Sequence, residues 1–385
     1  MKKIYLLLFG LILLSCQEQG VVVATEENGF ITVNTKDLKD SILLPLSELI
    51  EDIEIIQLDS DLSHSAKFGQ GYNFFLSENY LVVPDFKGKL MLFNRKSGKH
   101  ICDIGDKGNG HGEYTSINDC CISEADKVIY LSAKGNEIYK YDLNGKFIGV
   151  VPLAKDTNNG LVLFKIDEKS KVITVSSTYK DMLWKQDFDG NEIAEISSLD
   201  ENKTNTGGQM NDINGEVYIS RPNFNNKPDT LCKINQANNT LQPVFVLNVN
   251  HLKELEGFNG DAHSKRYIVT PKHIITTIVE FKMVKNSISV NVLKGGIFVN
   301  KKNLTGGYFK LFNDFIGVNV ATTTTYKDGY FATAFNDAVI LKEKLENISD
   351  EQKADMSSAT RKRIDNLLSS LDEEGNAVIM IGKLK

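Results

Sequence analysis

A short polar turn that ends in glycine recurs along the chain, and its spacing constrains the fold more than any other feature of the sequence. The copies read LFNRKSGKHI at 92–101, KYDLNGKFIG at 140–149, KQDFDGNEIA at 185–194 and, more weakly, CKINQANNTL at 232–241. Their turn positions lie 47, 45 and 49 residues apart, at Gly98, Gly145, Gly190 and Asn239. These residue types favour hairpin turns because they tolerate positive φ. A period in the middle forties made of short strands is typical of β-propeller blades.

Each copy of the turn follows a β-rich hairpin, so one repeat has enough strands for a four-stranded blade. These hairpins occupy 74–93, 126–141, 171–185 and 215–234, and further strands occupy 267–304 and 309–342. We therefore predict an all-β fold, a six-bladed β-propeller of four-stranded blades over residues 29–385.

One segment near the C-terminus breaks the β pattern. Within 342–372, Ser349 is a candidate N-cap with Gln352 three positions later. Apolar residues then recur at helical spacing, at Ile364, Leu367, Leu368 and Leu371. This pattern predicts one or two short helices inserted in the last blade. The strand at 376–385 would close the ring beside an early strand, 52–58 or 29–35, because joining both chain ends in one blade removes exposed edges.

The N-terminus has the form of a bacterial export signal. Lys2 and Lys3 precede an apolar run of 11 residues, Ile4–Leu14, which is too short to span a bilayer. The following Leu-Leu-Ser-Cys16 resembles the lipobox of bacterial lipoproteins, which implies cleavage before Cys16 and its lipidation. We predict a signal peptide at 1–15, a tether at 16–28 and attachment to the membrane through the lipid. The alternative is an ordinary signal peptide with a coincidental Cys.

Charge and cysteine content narrow the function classes. Loss of the signal peptide leaves 42 basic and 50 acidic residues, a net charge of −8, with both signs spread along the chain. The sequence contains no basic stripe of the kind that would favour nucleic acid as a partner. The sequence permits either disulfides or buried free thiols for the remaining cysteines, Cys102, Cys120, Cys121 and Cys232.

A glycine-rich segment, IGDKGNGHGEY at 104–114, raises the question of a phosphate-binding loop. A dinucleotide-binding loop needs G-x-G-x-x-G opening a helix, but Glu113 stands where the last glycine should be and no helical period follows. We interpret the segment as a tight connection between the outer strand of blade 1 and the inner strand of blade 2.

The same segment carries a family resemblance. It resembles the I-G-x-x-G-x-G-P-G-E-Y signature of six-bladed β-propeller lipoproteins of Bacteroidota, with His111 in place of Pro. The resemblance extends to Lys140-Tyr141-Asp142 with Gly145-Lys146, and to the C-terminal Asn376–Lys385, where Ala377 replaces Pro. It implies a cell-envelope, outer-membrane lipoprotein of unassigned function, facing the periplasm or the cell surface.

The sequence also contains candidate metal ligands. His100, Cys102 and His111 are close in sequence, but an outer strand lies far from the propeller axis. Six-bladed propellers that hydrolyse esters or lactones hold calcium on the axis, and Asx residues recur here at predicted blade entrances: Asn73, Asn118, Asp119, Asn211, Asp212, Asn313 and Asp314. Asx residues also cap turns, and we favour that interpretation. No catalytic residue, metal ligand or cofactor is assigned, and calcium stays an alternative.

The expected ligand surface is one face of the propeller, where loops converge. Candidate residues from the glycine segment are Lys107, Asn109, His111, Glu113 and Tyr114, and further candidates are Trp184, Arg221 and Phe224. For Trp184, packing between blades is the favoured alternative. We expect a monomeric, non-enzymatic module that binds a glycan, a peptide or an envelope protein. The alternative is a metal-assisted hydrolase or lyase with its site on the axis.

Overall fold

The computed structural model describes eleven stretches of the chain: 21–38, 41–59, 74–85, 88–133, 135–196, 209–220, 230–248, 263–284, 287–320, 323–373 and 375–385. The described residues are mostly β-strand. The N-terminal part contributes β1 (Ala24–Glu27), β2 (Phe30–Asn34), β3 (Ile42–Pro45) and β4 (Glu54–Gln57).

Blades 1 to 3 are four-stranded antiparallel sheets whose strands are consecutive in the chain. Blade 1 comprises β5 (Phe75–Leu76), β6 (Tyr80–Pro84), β7 (Leu90–Asn94) and β8 (His100–Ile104). A short parallel pair, β9 (Asp106–Lys107) and β10 (Glu113–Tyr114), lies in the connection to blade 2. Blade 2 comprises β11 (Asp119–Ser123), β12 (Val128–Ser132), β13 (Glu137–Asp142) and β14 (Phe147–Pro152). Blade 3 comprises β15 (Val162–Asp167), β16 (Val172–Ser177), β17 (Leu183–Gln186) and β18 (Glu192–Glu195).

Blades 4 to 6 each take strands from the N-terminal part. Blade 4 comprises β19 (Gln209–Ile213), β20 (Glu216–Ser220), β21 (Thr230–Asn235) and β22 (Thr240–Asn248), extended outward by β2 and β1. Blade 5 comprises β23 (His263–Val269), β24 (His273–Val284), β25 (Ser287–Asn300), β26 (Gly306–Asn313) and β27 (Val318–Asn319), with β3 parallel to β26. Blade 6 comprises β28 (Thr323–Lys327), β29 (Tyr330–Phe335), β30 (Val378–Lys383) and, outermost, β4.

The ring closes in one of the two ways that were predicted from the sequence. The strand within 52–58 is β4, which pairs antiparallel with β30. The strand within 29–35 is β2. It does not lie beside the closing strand β30, so the second alternative was wrong. It pairs in parallel with β22 of blade 4, where Ile31 and Val33 enter the core between blades 4 and 5. Residues 21–38 and 41–58 therefore form a strap along the outer edges of blades 4, 5 and 6.

Apolar contacts between successive blades hold the ring together. Six buried clusters each join two neighbouring blades, and the last of them joins blade 6 to blade 1 through residues such as Ile379 and Phe93. This arrangement confirms the predicted six-bladed propeller. It also sets blade 3 opposite blade 6, and blade 2 opposite blade 5.

The helical insertion lies between β29 and β30 and begins four residues earlier than predicted. It comprises α1 (Ala338–Glu346), α2 (Asp350–Asp355) and α3 (Ser358–Ser370). The predicted cap is confirmed, because the Ser349 side chain accepts from the backbone N–H of Gln352 in a reciprocal capping box. Leu341 and Ile364 are buried in the core between blades 5 and 6. None of the helices in the described part of the chain is long and apolar enough to cross a membrane.

Candidate functional site

The strand order gives the propeller two different faces. Strand direction alternates within a blade, so the first-to-second and third-to-fourth hairpins share one face, which we call the hairpin face. The opposite face, called the insertion face, carries the connections between blades and the second-to-third connections. The glycine loop (Gly105–Gly112) and the helical insertion both belong to the insertion face.

Internal hydrogen bonds fix the glycine loop. The Gly108 N–H donates to the Tyr114 carbonyl at 3.1 Å, and the Gly110 N–H donates to Glu113 Oε2 at 2.8 Å. The Tyr141 hydroxyl donates to the Gly112 carbonyl at 3.1 Å, which fastens the loop to blade 2. These amide groups are therefore engaged within the protein rather than aimed at a phosphate.

Three of the predicted site residues lie together on the exposed part of this loop: Lys107, Asn109 and His111. The His111 ring packs edge-on against Phe147, with ring centroids 4.9 Å apart. Glu113 is half-buried, and its carboxylate fills the space beside the loop glycines.

Two aromatic candidates lie inside the protein, so their placement on a ligand face is corrected. Tyr114 is 1% exposed; its hydroxyl donates to the Ile104 carbonyl at 3.0 Å and accepts from the Leu90 N–H at 2.8 Å. Burial raises the pKa of Tyr114 well above its ordinary value. Trp184 is fully buried between blades 2 and 3, as the packing alternative predicted, and its Nε1 donates to Gln186 Oε1 at 2.8 Å. Cys16, Arg221 and Phe224 lie outside the described residues.

The side chains predicted as candidate metal ligands beside this loop contact other protein groups instead. His100 Nε2 lies 3.1 Å from Asp103 Oδ1, and Cys102 Sγ lies 3.6 Å from the Leu143 carbonyl oxygen. None of the described cysteines, Cys102, Cys120, Cys121 and Cys232, forms a disulfide. Burial raises the pKa of Cys102 to about 11 and that of Cys121 to about 12. Across the described ranges, no three His, Cys, Asp or Glu side chains are grouped to hold a metal ion.

The propeller axis carries two ion pairs that connect non-adjacent blades. Lys165 on β15 of blade 3 pairs with Asp328 in the β28–β29 turn of blade 6, so this pair crosses the ring. Lys327 at the end of β28 pairs with Asp119 at the start of β11 in blade 2. The Lys327 ammonium also lies 4.6 Å from the ring centroid of Phe75 in blade 1. We call Lys165, Asp328, Lys327 and Asp119 the axial cluster.

Mutual attraction favours the charged forms of Lys327 and Asp328. Burial opposes ionisation of Asp328, but Lys165 and Lys327 outweigh this and hold the pKa of its carboxyl below the ordinary value. Burial likewise opposes protonation of Lys327, and Asp119 and Asp328 outweigh it, so its pKa is raised. Asp119 also accepts from the backbone N–H groups of Cys120 and Phe164. The axial cluster therefore consists of two ion pairs that meet at blade 6 through the adjacent residues Lys327 and Asp328.

A family model described as "Domain of unknown function (DUF4934)" matches residues 30–383, which is nearly the whole chain. The chain belongs to the DUF4934 family. None of the curated proteins matches this DUF4934 member.

Solved structures resemble this DUF4934 member in fold. One is a "Putative exported protein" from Bacteroides fragilis NCTC 9343, with 14% identity and a TM-score of 0.56, covering 92% of this chain and 99% of that one. Another is a member of the DUF4221 family from Bacteroides vulgatus ATCC 8482, with 11% identity and a TM-score of 0.45, covering 88% and 98% of the two chains. The family match, the fold of the Bacteroides neighbour and the six blades confirm the resemblance to six-bladed β-propeller proteins of unassigned function. The lipid anchor stays a prediction.

Most of the axial cluster was not predicted from the sequence. Asp119 was among the Asx residues considered at blade entrances, but its partner Lys327 was not predicted. Placing Asn313 and Asp314 at a blade entrance was wrong, because Asn313 ends β26, an outer strand of blade 5. Asp314 follows it and accepts from the Ser47 N–H at 3.0 Å. The signal that could have identified the cluster is a lysine near the end of an inner strand. It occurs in LFKID at 163–167 and in TYKDG at 325–329.

Proposed function

We propose that this protein is a cell-envelope binding module, tethered by a lipid at Cys16, that holds a peptide or protein partner on its insertion face. The lipobox-like sequence at Cys16 supports the tether. The Bacteroides fragilis neighbour, described as exported, supports a location outside the cytoplasm.

The observation that carries the proposal is a rigid loop with an exposed polar tip. Lys107, Asn109 and His111 are exposed, while Glu113 and Tyr114 beneath them are fixed by hydrogen bonds. A loop that is ordered before binding loses little conformational entropy when a partner arrives. Polar groups on a loop held by a stable scaffold are a common form of recognition site.

Burial of Tyr114 and Trp184, two of the three aromatic candidates, favours a polypeptide over a glycan. Stacking on a sugar needs an exposed ring, and Tyr114 and Trp184 are both buried. The exposed tip of the loop instead offers ammonium, amide and imidazole groups, which form hydrogen bonds with polypeptide backbones and side chains.

The axial cluster supports binding rather than axial hydrolysis. A calcium ion needs several oxygen ligands that are free to coordinate it. Asp119 and Asp328 are each paired with a lysine, and the nearby ammonium groups would repel a cation.

Site-specific photocrosslinking in the lipid-anchored protein, expressed in its own cells, tests the proposal. A benzophenone amino acid replaces Asn109 in one variant and Asn238, exposed on the hairpin face of blade 4, in the matched control. We expect a discrete crosslinked polypeptide at position 109 and none at position 238. No adduct at 109, or the same adducts at both positions, would contradict the proposal.

A further inference from the structure

The described chain begins on the outer edge of blade 5. Val22 forms an antiparallel bridge with Thr305 in the hairpin before β26. On either side, the Val23 N–H donates to the Leu304 carbonyl at 3.0 Å, and the Gly306 N–H donates to the Val21 carbonyl at 3.1 Å. The strap therefore starts at a fixed point on the rim, before it passes to blade 4.

This fixed point is close in sequence to the proposed lipid. Five residue steps separate Val21 from Cys16. A fully extended chain covers about 3.5 Å per residue, so the lipidated residue lies within about 18 Å of Val21. That length is short compared with the propeller, so the rim at blade 5 has to stay near the membrane surface.

The same edge is unusually apolar. Nine large hydrophobic residues are exposed among those described, and four of them belong to the strap beside blade 5: Val21 at 45%, Val22 at 65%, Ile42 at 44% and Leu43 at 57%. Val22 pairs with Thr305, and Leu43 pairs with Lys310 five residues further along, so the four lie along one edge about 17 Å long. The other exposed large hydrophobics in the described ranges are distributed over several blades, so four of the nine share this one edge.

Positive charge accompanies the apolar strip. The outer hairpin and strand of blade 5, residues 296–313, contain Lys301, Lys302 and Lys310 and no acidic residue, although the chain as a whole is acidic. Lys302 and Lys310 are exposed. Apolar side chains next to lysines fit the headgroup region of a bilayer with anionic lipids, because lysines bind phosphates while the apolar groups enter the acyl boundary.

We propose that this strip, Val21, Val22, Ile42 and Leu43 with Lys302, rests on the membrane surface, so that the propeller stands on its edge. Blade 2 is opposite blade 5 in the ring, and the glycine loop packs on Tyr141 and Phe147 of blade 2. The loop is thereby directed away from the membrane, where a partner has access. This orientation rests on the proposed lipidation of Cys16.

Fluorescence quenching in vesicles tests the orientation. The lipidated full chain is reconstituted in phosphatidylethanolamine and phosphatidylglycerol vesicles after Lys302→Cys or, as the matched control, Lys107→Cys, each labelled with an environment-sensitive fluorophore. The unsubstituted protein gives the background from native thiols. A nitroxide on the lipid headgroup should quench the label at 302 at least threefold more than the label at 107. Equal quenching, or stronger quenching at 107, would overturn the orientation.

Two further measurements separate this proposal from the proposed function. If Cys16 carries no lipid, the protein will fail to float with vesicles, and the tether itself is refuted. If it floats, hydrogen exchange of the unsubstituted protein should be slower on vesicles than after release from them in residues 21–27 and 301–306. Unchanged exchange there in a floating protein would overturn the orientation alone.

Discussion

At the scale of single residues, the repeated turn glycine has two functions. Gly98, Gly145 and Gly190 all have positive φ, as their hairpins require. Each also packs on the outer strand of the preceding blade. A Cβ at Gly145 would overlap the Asp103 carbonyl oxygen, and a Cβ at Gly190 would lie 2.8 Å from Pro152 Cγ. The repeat is visible in the sequence because neighbouring blades repeat the same contact.

This double function predicts different costs for two similar substitutions. Gly145 and Gly215 are both hairpin glycines, with φ of +78° and +80°, but nothing lies within 4 Å of a Cβ added at Gly215. We expect Gly215→Ala to cost about 1 kcal/mol of unfolding free energy from backbone strain. Gly145→Ala should cost about 3 kcal/mol, because the new methyl group also displaces blade 1. Equal losses in urea unfolding would contradict the packing role.

A buried histidine predicts a loss of stability in acid. His273 is 6% exposed at the start of β24, and burial, aided by Lys272 and Lys301, lowers its pKa to about 4. The unfolded chain binds this proton near pH 6.5, so stability should fall by about 3 kcal/mol as the pH drops from 6.5 to 4. His273→Gln should reduce the difference between unfolding free energies at pH 7.5 and 4. The control His111→Gln, at an exposed ring, should leave that difference unchanged; a reduction as large as that for His273→Gln would contradict the account.

At the scale of elements, the sequence identified strands and helices more reliably than their partners. The spacing of Ile364 and Leu367 predicted a helix, and both residues are buried in the core as that spacing required. The strand within 29–35 was predicted from its composition, but a strand pattern carries no information on which blade edge it will join. The pairing of β2 with β22 spans more than 200 residues and depends on shape that only the assembled ring provides.

The helical insertion is predicted to be part of the core rather than an appended surface element. Leu341 on α1 is fully buried between blades 5 and 6, while its neighbour Ile340 is 47% exposed. Leu341→Ala should lower the free energy of unfolding by about 3 kcal/mol through lost burial and a cavity. Ile340→Ala should change it by less than about 0.5 kcal/mol. Similar effects of the two substitutions in urea unfolding would show that the insertion is not packed on the ring.

At the scale of the whole molecule, the sequence predicted the architecture and part of the candidate site. The turn period led to six blades, and the glycine segment led to Lys107, Asn109 and His111. The axial cluster could not be predicted, because Lys165 and Asp328 are 163 residues apart and meet only when the ring closes. Burial of Tyr114 and Trp184 was likewise hidden, since an aromatic residue in a strand pattern fits a core and a ligand face equally well.

The axial cluster should stabilise the closed ring. Asp119 has a side chain 6% exposed, and Lys327→Met would leave its carboxylate buried without a counter-charge. We expect a loss of about 3 kcal/mol of unfolding free energy. The control Lys342→Met removes a surface partner of Glu373 and should have little effect. If Lys327→Met is as stable as the control, the cluster is not a structural element.

The most direct test of the central claim, a binding module whose axial charges are structural, is thermal unfolding of the soluble chain, residues 17–385, in calcium chloride and in EDTA. Ligands that bind the native state raise Tm by mass action. Because Asp119 and Asp328 are already paired with lysines, we predict the same Tm in both solutions at matched ionic strength. A higher Tm in calcium that is lost in Asp328→Asn would contradict the account and indicate a metal centre on the axis.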